Sequence, residues 1–187
     1  MITIREATTD EDLAACAVLR ATYTTRAAWQ FLSDEHLPEG SEGAQGASVV
    51  QFYLRQTRLP RKIVLRLPSA LVPLSEVWSA CAVRLVAQND EAICGYLLMQ
   101  LLPAQRRVFI TRFLVEPPAR TRGAGTALLR AARAWTVTQG LGALLAHAPL
   151  RNVPGIAFYQ RRGFRICGLS EHFYAAHEDA LLLLLLV

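Results

Sequence analysis

The chain has 187 residues, of which 52% are hydrophobic and 19% charged, and its mean hydropathy is +0.24. This composition excludes a disordered chain, and the length suits one domain, 1–187, that buries about two-thirds of its unfolded surface. The formal net charge is +5, and arginine carries almost all of the positive charge. We interpret most of this charge as solvated surface, although it also suits a ligand that bears phosphate. The arginines are dispersed along the sequence, which disfavours a nucleic-acid groove.

The cysteines and the two chain ends bear on compartment and membrane. No Cys/His cluster has the spacing of metal ligands, so we predict a cytoplasmic protein with reduced thiols and no metal site. The beginning, "MITIREATTDEDL", lacks the pattern of a signal peptide. The apolar tail 180–187 is far shorter than the ~20 residues that span a bilayer. It therefore predicts a buried strand, with no membrane partner.

The beginning of the chain predicts a strand and a helix. Residues 2–5 alternate between apolar and polar, as a half-buried strand does. Thr9 and Asp12 have the spacing of a capping box, and the helix that follows is expected to continue past Arg20. Residues 27–76 form the least regular part of the sequence.

Within this irregular part, two local features can be predicted. Residues 39–48 contain three glycines among polar side chains, which indicates a mobile loop. Ser48 is expected to cap a short helix over 49–59, and Pro60 is expected to end it.

Regular strands resume in the middle of the chain. Apolar runs cover 77–87, 93–102 and 107–115, and polar turns at 88–91 and 103–106 separate them. This arrangement is typical of hairpin-linked strands in an antiparallel meander.

The pattern then changes to helical spacing. Apolar residues 127, 128, 131, 132 and 135 share one helix face, and Gly140 is expected as the C-cap. The remaining elements are a strand at 141–148, a short helix at 154–162 closed by Gly163, and strands at 164–174 and about 180–187. Strand–helix–strand steps within a mostly antiparallel set predict an α+β fold with one parallel crossover.

The stretch "PARTRGAGTAL" (118–128) joins a strand to a helix and has the features of a phosphate site. Its glycines allow a ligand to approach the backbone closely, and the first N–H groups of a helix have no partners within the helix. Arg120 and Arg122 add charged donors at the same place. Neither the Walker pattern nor the Rossmann glycine pattern is present. We therefore predict a pyrophosphate site of another kind.

Two motifs resemble those of the GNAT superfamily of acyl-CoA-dependent N-acyltransferases. The first is Arg120-x-x-Gly123-x-Gly125, which resembles the (Gln/Arg)-x-x-Gly-x-(Gly/Ala) loop of that family. The second is "NVPGIAFYQRRGF" (152–164), which departs from the family signature by having Gly155 in place of alanine. The last strands resemble those of members that acetylate small-molecule amines, such as streptothricin acetyltransferases.

The resemblance implies a fold and a cosubstrate. The expected GNAT fold is a central, mixed and mostly antiparallel twisted sheet of six to seven strands, flanked by about four or more helices. Acetyl-CoA would lie in a gap between the strand that ends at Val115 and the strand that ends near His147. The implied cofactor-binding residues are Leu114, Val115, Arg120, Arg122, Gly123, Ala124, Gly125, Thr126 and Asn152.

The resemblance also implies catalytic roles, each with a simpler alternative. Tyr159 would protonate the leaving thiolate, or else only pack in the core. Asn152 would bind the pantetheine arm, cap its helix, or do both. The general base is unassigned, because Thr111 and Arg112 stand where relatives often have acidic residues.

His147 and Glu116 are the candidates for this base, and a purely structural role is the alternative for each. Arginines 161, 162 and 165 are expected to be mainly solvated, with a contact to the 3′-phosphate of the cofactor as the alternative.

The acceptor is expected to bind against the variable segment at about 21–76. Acidic residues in that segment would attract a cationic amine, or would simply be solvated; they are Asp34, Glu35, Glu39 and Glu42. The expected reaction is acetyl transfer from acetyl-CoA to a primary amine of a small molecule by direct attack. Alternatives are acetylation of protein N-termini or lysines, and a module that senses acyl-CoA without turnover. Exposed edges of the sheet would also allow two copies of the chain to form a homodimer.

Overall fold

The structure is a computed structural model that describes residues 1–32, 52–90, 92–175 and 177–187. Its α-helices are α1 (Asp10–Ala17), α2 (Leu74–Trp78), α3 (Ala124–Thr138) and α4 (Val153–Gln160). Its strands are β1 (Ile2–Glu6), β2 (Thr22–Leu32), β3 (Tyr53–Arg66), β4 (Val83–Asn89), β5 (Ala92–Leu102), β6 (Arg107–Val115), β7 (Ala143–Pro149), β8 (Arg165–Tyr174) and β9 (Glu178–Leu186).

Seven of the described strands form one sheet in the order β1-β4-β5-β6-β7-β9-β8, and β2 pairs with β3 in a separate sheet. All neighbours in the large sheet are antiparallel except β6 and β7, which are parallel. The single parallel pair is explained by α3, which connects the two strands as a crossover. The predicted α+β fold with a mixed, mostly antiparallel sheet is confirmed.

The core lies on both faces of the central strand β5, whose residues 94–99 are all buried. On one face, Leu97 packs with the α3 residues Leu128 and Leu129. On the other face, Leu98 packs with Cys16 of α1 and with residues of α2. Helices on both faces explain why residues 94–99 of β5 are all buried instead of alternating between buried and exposed.

The second sheet corrects the prediction for residues 27–76. Strand β3 covers most of the segment predicted as a helix over 49–59, and Pro60 lies inside this strand. The pairing passes from Thr25↔Ile63 to Ala27↔Arg58, so Pro60 lies in a bulge where no ladder hydrogen bond needs its nitrogen. The predicted loop 39–48, with the proposed cap Ser48, lies outside the described residues.

Two further boundaries differ from the prediction. The predicted strand 77–87 is divided between the end of α2 and β4, with a turn in which the Cys81 N–H donates to the Trp78 carbonyl at 3.3 Å. Helix α1 ends at Ala17, before Arg20. Gly140 and Gly163 have φ values of +65° and +87°, as expected of glycines that end helices.

A buried carboxylate joins β1 to α1. The Arg5 guanidinium donates to Asp12 with an Nη1–Oδ2 distance of 2.9 Å, and the Thr8 N–H donates to the same oxygen at 3.0 Å. The capping box expected from Thr9 and Asp12 is present. The hydrogen bond from Arg5 holds the pKa of Asp12 well below its usual range.

Replacing Asp12 with Asn should show what this charge contributes to stability. We expect the free energy of unfolding at pH 7, measured by urea denaturation, to fall by about 1.5–3 kcal/mol, the range for hydrogen bonds to charged groups. The folded-state pKa of Asp12 is lowered, so its contribution is complete above the unfolded pKa of about 4 and is lost as the pH falls through the folded value. The difference between wild type and variant should therefore shrink in acid.

The control is Asp10→Asn, since Asp10 is exposed in the first turn of the same helix. It should change the free energy of unfolding by no more than about 0.5 kcal/mol. Equal losses in the two variants would show that the pair between Arg5 and Asp12 is not the source of the effect.

Candidate active site

The site begins where β6 and β7 separate. The two strands pair over three positions, ending at Phe109↔Leu145. Beyond that point β6 still pairs with β5, but Leu98 lies opposite Arg112 while Met99 lies opposite Ile110. Thr111 is therefore the extra residue of a β-bulge, and bulges bend the strand that contains them. The bulge explains why β6 leaves β7 at this residue.

The separation opens a cavity of about 420 Å³ between the two strands. Strand β7 remains paired with β9 as far as Pro149, so the free edges of β6 and β7 face each other across the cavity. Main-chain N–H and C=O groups on such edges need partners, and a polar chain such as a pantetheine arm supplies them. The residues that line the cavity include Tyr23, Leu67, Thr111, Arg120, Gly123, Gly125, Thr126, His147, Asn152, Phe158, Tyr159, Arg161, Arg162 and Tyr174.

At one end of the cavity lies the N-terminus of α3. Gly123 precedes the helix with φ of +92°, a left-handed conformation that favours glycine. The first hydrogen bond of the helix runs from the Ala127 N–H to the Gly123 carbonyl at 2.9 Å, so the N–H groups of residues 124–126 have no partner within the helix. Within the described chain, no side chain caps this end. Three unpaired donors and the helix dipole make it suitable for an anion.

Gly125 has a different reason to be glycine. A Cβ at this position would lie 3.2 Å from the Phe158 ring and 3.5 Å from the Val115 side chain. Its absence lets α3 lie close to both α4 and the end of β6.

The two arginines of the loop differ in their surroundings. Arg120 is half-buried, and its guanidinium donates to the Val115 carbonyl at 2.8 Å and to the Thr22 carbonyl on β2. It thus fixes the loop to the end of β6 and to the second sheet. Arg122 is exposed beside the free N–H groups. Binding of phosphate by either residue stays a prediction.

Arg162, which follows α4, brings a further cation to the loop. Its guanidinium lies 3.9 Å from the centre of the Phe158 ring and donates to the Phe158 carbonyl at 3.2 Å and to the Thr126 hydroxyl. These contacts place Arg162 beside the start of α3, so its surroundings differ from the solvated surface predicted for it.

Tyr159 lies in the wall of the cavity and also packs against aromatic rings. The centre of its ring is 5.0 Å from that of Phe164 and 6.0 Å from that of Phe113. Burial raises the pKa of Tyr159, so its phenol stays protonated at neutral pH and remains a hydrogen-bond donor. The two interpretations of this residue are compatible: the ring packs, and the residue borders the cavity.

His147 spans the narrow end of the gap. Its Nε2 lies 3.1 Å from the Thr111 carbonyl oxygen, and its Nδ1 lies 2.7 Å from the Tyr174 hydroxyl. Burial lowers the pKa of His147 to about 4, so the ring is neutral at pH 7. A base role for His147 alone is disfavoured by this pKa and by the occupation of both ring nitrogens.

A family model, described as the acetyltransferase (GNAT) family, matches residues 52–164, which is more than half of the chain. The chain belongs to this family. It is an acyl-CoA-dependent N-acyltransferase. None of the curated protein sequences compared with the chain matches it.

Solved structures with the same fold cover nearly the whole GNAT chain. A nourseothricin acetyltransferase superposes with a TM-score of 0.80 at 22% identity, over 99% of this chain and 98% of the other. A protein assigned as a streptothricin acetyltransferase from Bacillus anthracis, solved with acetyl coenzyme A, gives 0.72 at 17% identity over 100% of both chains. The ribosomal-protein-S18-alanine N-acetyltransferase of Escherichia coli gives 0.63 at 16% identity, over 100% of this chain and 94% of the other.

The departure from the GNAT signature at Gly155 has a structural explanation. The Asn152 side chain caps α4 by accepting a hydrogen bond from the Gly155 N–H at 3.0 Å. A Cβ at residue 155 would lie 2.7 Å from the Asn152 side-chain carbon Cγ. Glycine leaves room for the cap, and Asn152 still borders the cavity.

The structure does not place Glu116 with the other candidates. The Glu116 carboxylate forms an ion pair with Arg20 at 3.5 Å. The main-chain N–H of Glu116 donates to the Cys94 carbonyl at 2.9 Å. The residue is not among those that line the cavity. These contacts indicate that Glu116 fixes the end of β6, and its role as a base lacks support from the geometry.

Three polar residues in or near the cavity were missed in the sequence. Tyr23 and Tyr174 line the cavity, and a carboxylate oxygen of Glu178 is buried without a hydrogen-bond partner among the described residues. Burial raises the pKa of Glu178. Tyr174 and Glu178 lie opposite each other in the β8–β9 ladder. Tyr23 lies far along the chain from the GNAT motifs, and the resemblance of the last strands, which contain Tyr174 and Glu178, assigned no role to either residue.

The described residues lack the features of two other classes of site. No helix in the described ranges is long and apolar enough to cross a membrane. Those same ranges contain no group of three or more His, Cys, Asp or Glu side chains that could hold a metal ion.

The glycine loop can be tested with a matched pair of variants. Gly123 and Gly140 both have positive φ and open space where a Cβ would stand, so Gly123→Ala and Gly140→Ala should each cost about 1 kcal/mol of stability. Gly140 lies at the other end of α3. Of the two, only Gly123 lies at the N-terminus of α3, where the pyrophosphate is predicted to bind. Calorimetric titration with coenzyme A should therefore give an affinity about tenfold weaker for Gly123→Ala and unchanged for Gly140→Ala. Equal affinities in the two variants would contradict a pyrophosphate site at this loop.

Proposed function

We propose that this protein transfers the acetyl group of acetyl-CoA to a primary amine of a small molecule by direct attack. The observation that carries the proposal is a single cavity whose walls combine the N-terminus of α3, the separated edges of β6 and β7, and the hydroxyl-bearing side chains of Tyr159 and Tyr174. The full-length similarity to a nourseothricin acetyltransferase and to a structure containing acetyl coenzyme A supports it.

The proposed position of acetyl-CoA follows the polarity of the cavity. The free N–H groups of residues 124–126, with Arg122, would bind the pyrophosphate. Arg161 and Arg162 border the same end and would add positive charge there. The amide groups of the pantetheine arm would pair with the open edges at Leu114 and Val115 and with Asn152. The donors and acceptors available in the cavity fit this cosubstrate along its length.

The chemistry requires one bond to form and one to break. The neutral amine attacks the thioester carbonyl carbon, an oxyanion develops, and the carbon–sulfur bond then breaks. A main-chain N–H at Leu114 or Val115 is proposed to stabilise the oxyanion. Tyr159 is proposed to donate its phenolic proton to the departing thiolate. The attacking nitrogen releases one proton to the medium as the amide forms, and Tyr159 regains a proton from the medium.

A small acceptor is favoured by the second sheet, which covers part of the cavity. Tyr23 on β2 and Leu67 after β3 both line it, so the second sheet forms part of its wall. The sheet is attached to the rest of the fold by the Trp29 N–H, which donates to the Leu150 carbonyl at 3.0 Å. The second sheet leaves less room along the cavity for an extended protein tail than for a small molecule. The predicted acidic cluster at 34–42, which would attract a cationic acceptor, lies outside the described residues.

Replacing Tyr159 with Phe removes the proposed proton donor and keeps the packed ring. We expect kcat, measured by release of the coenzyme A thiol, to fall by about 10²–10⁴-fold, while the affinity for coenzyme A stays within about twofold. Tyr96→Phe is the matched control, because Tyr96 is also buried but lies on the opposite face of the sheet and outside the cavity. If the two variants have the same kcat, Tyr159 is not the proton donor.

The proposed acceptor class can be tested by a turnover screen of the wild type with acetyl-CoA. We expect kcat/KM to be highest for primary amines of small cationic molecules and at least about tenfold lower for N-terminal peptides. A preference for peptides would replace the proposal with protein acetylation. Binding of acetyl-CoA without turnover on any amine would favour a sensing module.

A further inference from the structure

A chain of three polar groups crosses the narrow end of the cavity. It begins at the Thr111 carbonyl, which the bulge in β6 exposes, continues through the His147 ring and ends at the Tyr174 hydroxyl. The His147 ring packs against two aromatic rings, with its centre 5.2 Å from that of Phe109 and 4.5 Å from that of Phe173. Packing therefore fixes the orientation in which the imidazole presents its nitrogens.

Each hydrogen bond in this chain has one possible direction. A carbonyl oxygen only accepts, so the hydrogen between His147 and Thr111 belongs to Nε2. A neutral imidazole carries one N–H, and Nδ1 is therefore left with a lone pair. The Tyr174 hydroxyl must then donate its hydrogen to Nδ1.

The protonation states support these directions. Burial lowers the pKa of His147 to about 4, so the ring is neutral over the physiological range. Burial raises the pKa of Tyr174, and the nearby Glu178 raises it further, so the phenol keeps its proton. The carbonyl of Thr111 thus determines, through His147, how Tyr174 uses its single hydrogen.

The consequence is a fixed polarity inside the cavity. Tyr174 has committed its hydrogen to His147, so only the lone pairs of its oxygen are available to a ligand. Tyr159 is a phenol on another wall of the same cavity, and its proposed role is that of a donor. The two hydroxyl groups therefore present opposite polarities.

We propose that Tyr174 is the residue that accepts a hydrogen bond from the acceptor amine and orients it for attack, and that His147 is a positioning residue that acts through Tyr174. This inference rests on the proposed acetyl transfer to an amine. A neutral primary amine that gives one N–H to Tyr174 keeps its lone pair free to face the thioester. The role predicted for His147 as a base is thereby replaced by a role in fixing the Tyr174 hydrogen.

The test uses Tyr174→Phe and two complementary variants of His147. Asparagine places a side-chain oxygen near the position of Nδ1, so His147→Asn keeps an acceptor for Tyr174 but loses the bond to Thr111. Glutamine reaches the position of Nε2, so His147→Gln keeps a donor to Thr111 but leaves the Tyr174 hydrogen uncommitted. Neither amide side chain can act as a base, which separates positioning from proton abstraction.

We expect Tyr174→Phe to lower kcat/KM for the amine by about 10–100-fold, with the KM for acetyl-CoA within about twofold of wild type. His147→Gln should fall to a similar level, and His147→Asn should stay within about tenfold of wild type. Adding His147→Gln to Tyr174→Phe should cause little further loss, because both changes remove one interaction. Thermal unfolding with and without coenzyme A checks that each variant folds and binds.

Three results would overturn the inference. Normal turnover by Tyr174→Phe would show that its hydroxyl does not orient the amine. Equal, severe losses in the asparagine and glutamine variants would indicate that the imidazole itself is required. If Tyr174→Phe did not fold, a glutamine variant more active than the asparagine variant would contradict the assigned polarity. Failure of the proposed function is distinguishable, since the wild type would then bind acetyl-CoA but turn over no amine.

Discussion

The β-bulge at Thr111 is the feature on which the rest of the site depends. It ends the parallel pairing of β6 with β7 after Phe109 and creates two open strand edges in the middle of the sheet. Open edges inside a protein cost free energy unless another group pairs with them. Here β5 and β9 hold the outer edges of the two strands, so the gap stays open while the sheet remains continuous.

The same bulge also governs the chemistry at the narrow end of the gap. Its carbonyl, freed from the β6–β7 ladder, binds His147, and His147 in turn binds Tyr174. At the wide end, Arg120 ties the glycine loop to the end of β6 and to β2. The bulge at Thr111 thus lies between the glycine loop, which is proposed to bind the cosubstrate, and Tyr174, which is proposed to bind the amine.

Much of the fold could be predicted from the sequence because its signals are local. Strand β6 matches its predicted bounds of 107–115, and α3 follows the apolar spacing read in the sequence. The positive φ of Gly123 agrees with the loop inferred from the motif. These features depend on a few neighbouring residues, and a sequence records such neighbours directly.

The features that were missed depend on distant contacts. Strand β3 looked helical because the bulge that accommodates Pro60 exists only when β2 pairs with it. The hydrogen bond from Arg120 to the Thr22 carbonyl joins residues 98 positions apart in the sequence. The hydrogen bond between Tyr174 and His147 joins residues 27 positions apart. The contacts of such residues depend on how distant strands pair, and no single stretch of the sequence contains that information.

The difference between a binding module and an enzyme lies in what such a cavity contains beyond the cosubstrate site. Binding acyl-CoA requires the loop N–H groups and the open strand edges, and a hydrophobic acceptor end would suffice. Here the proposed acceptor end contains buried polar groups, and a buried polar group costs free energy unless it is hydrogen-bonded. Tyr174 lines the cavity and donates its hydrogen to His147, which leaves the lone pairs of its oxygen for a ligand. A hydrogen-bond acceptor at Tyr174, opposite the proposed donor Tyr159, suits a ligand that has hydrogens of its own to donate, and an amine is such a ligand.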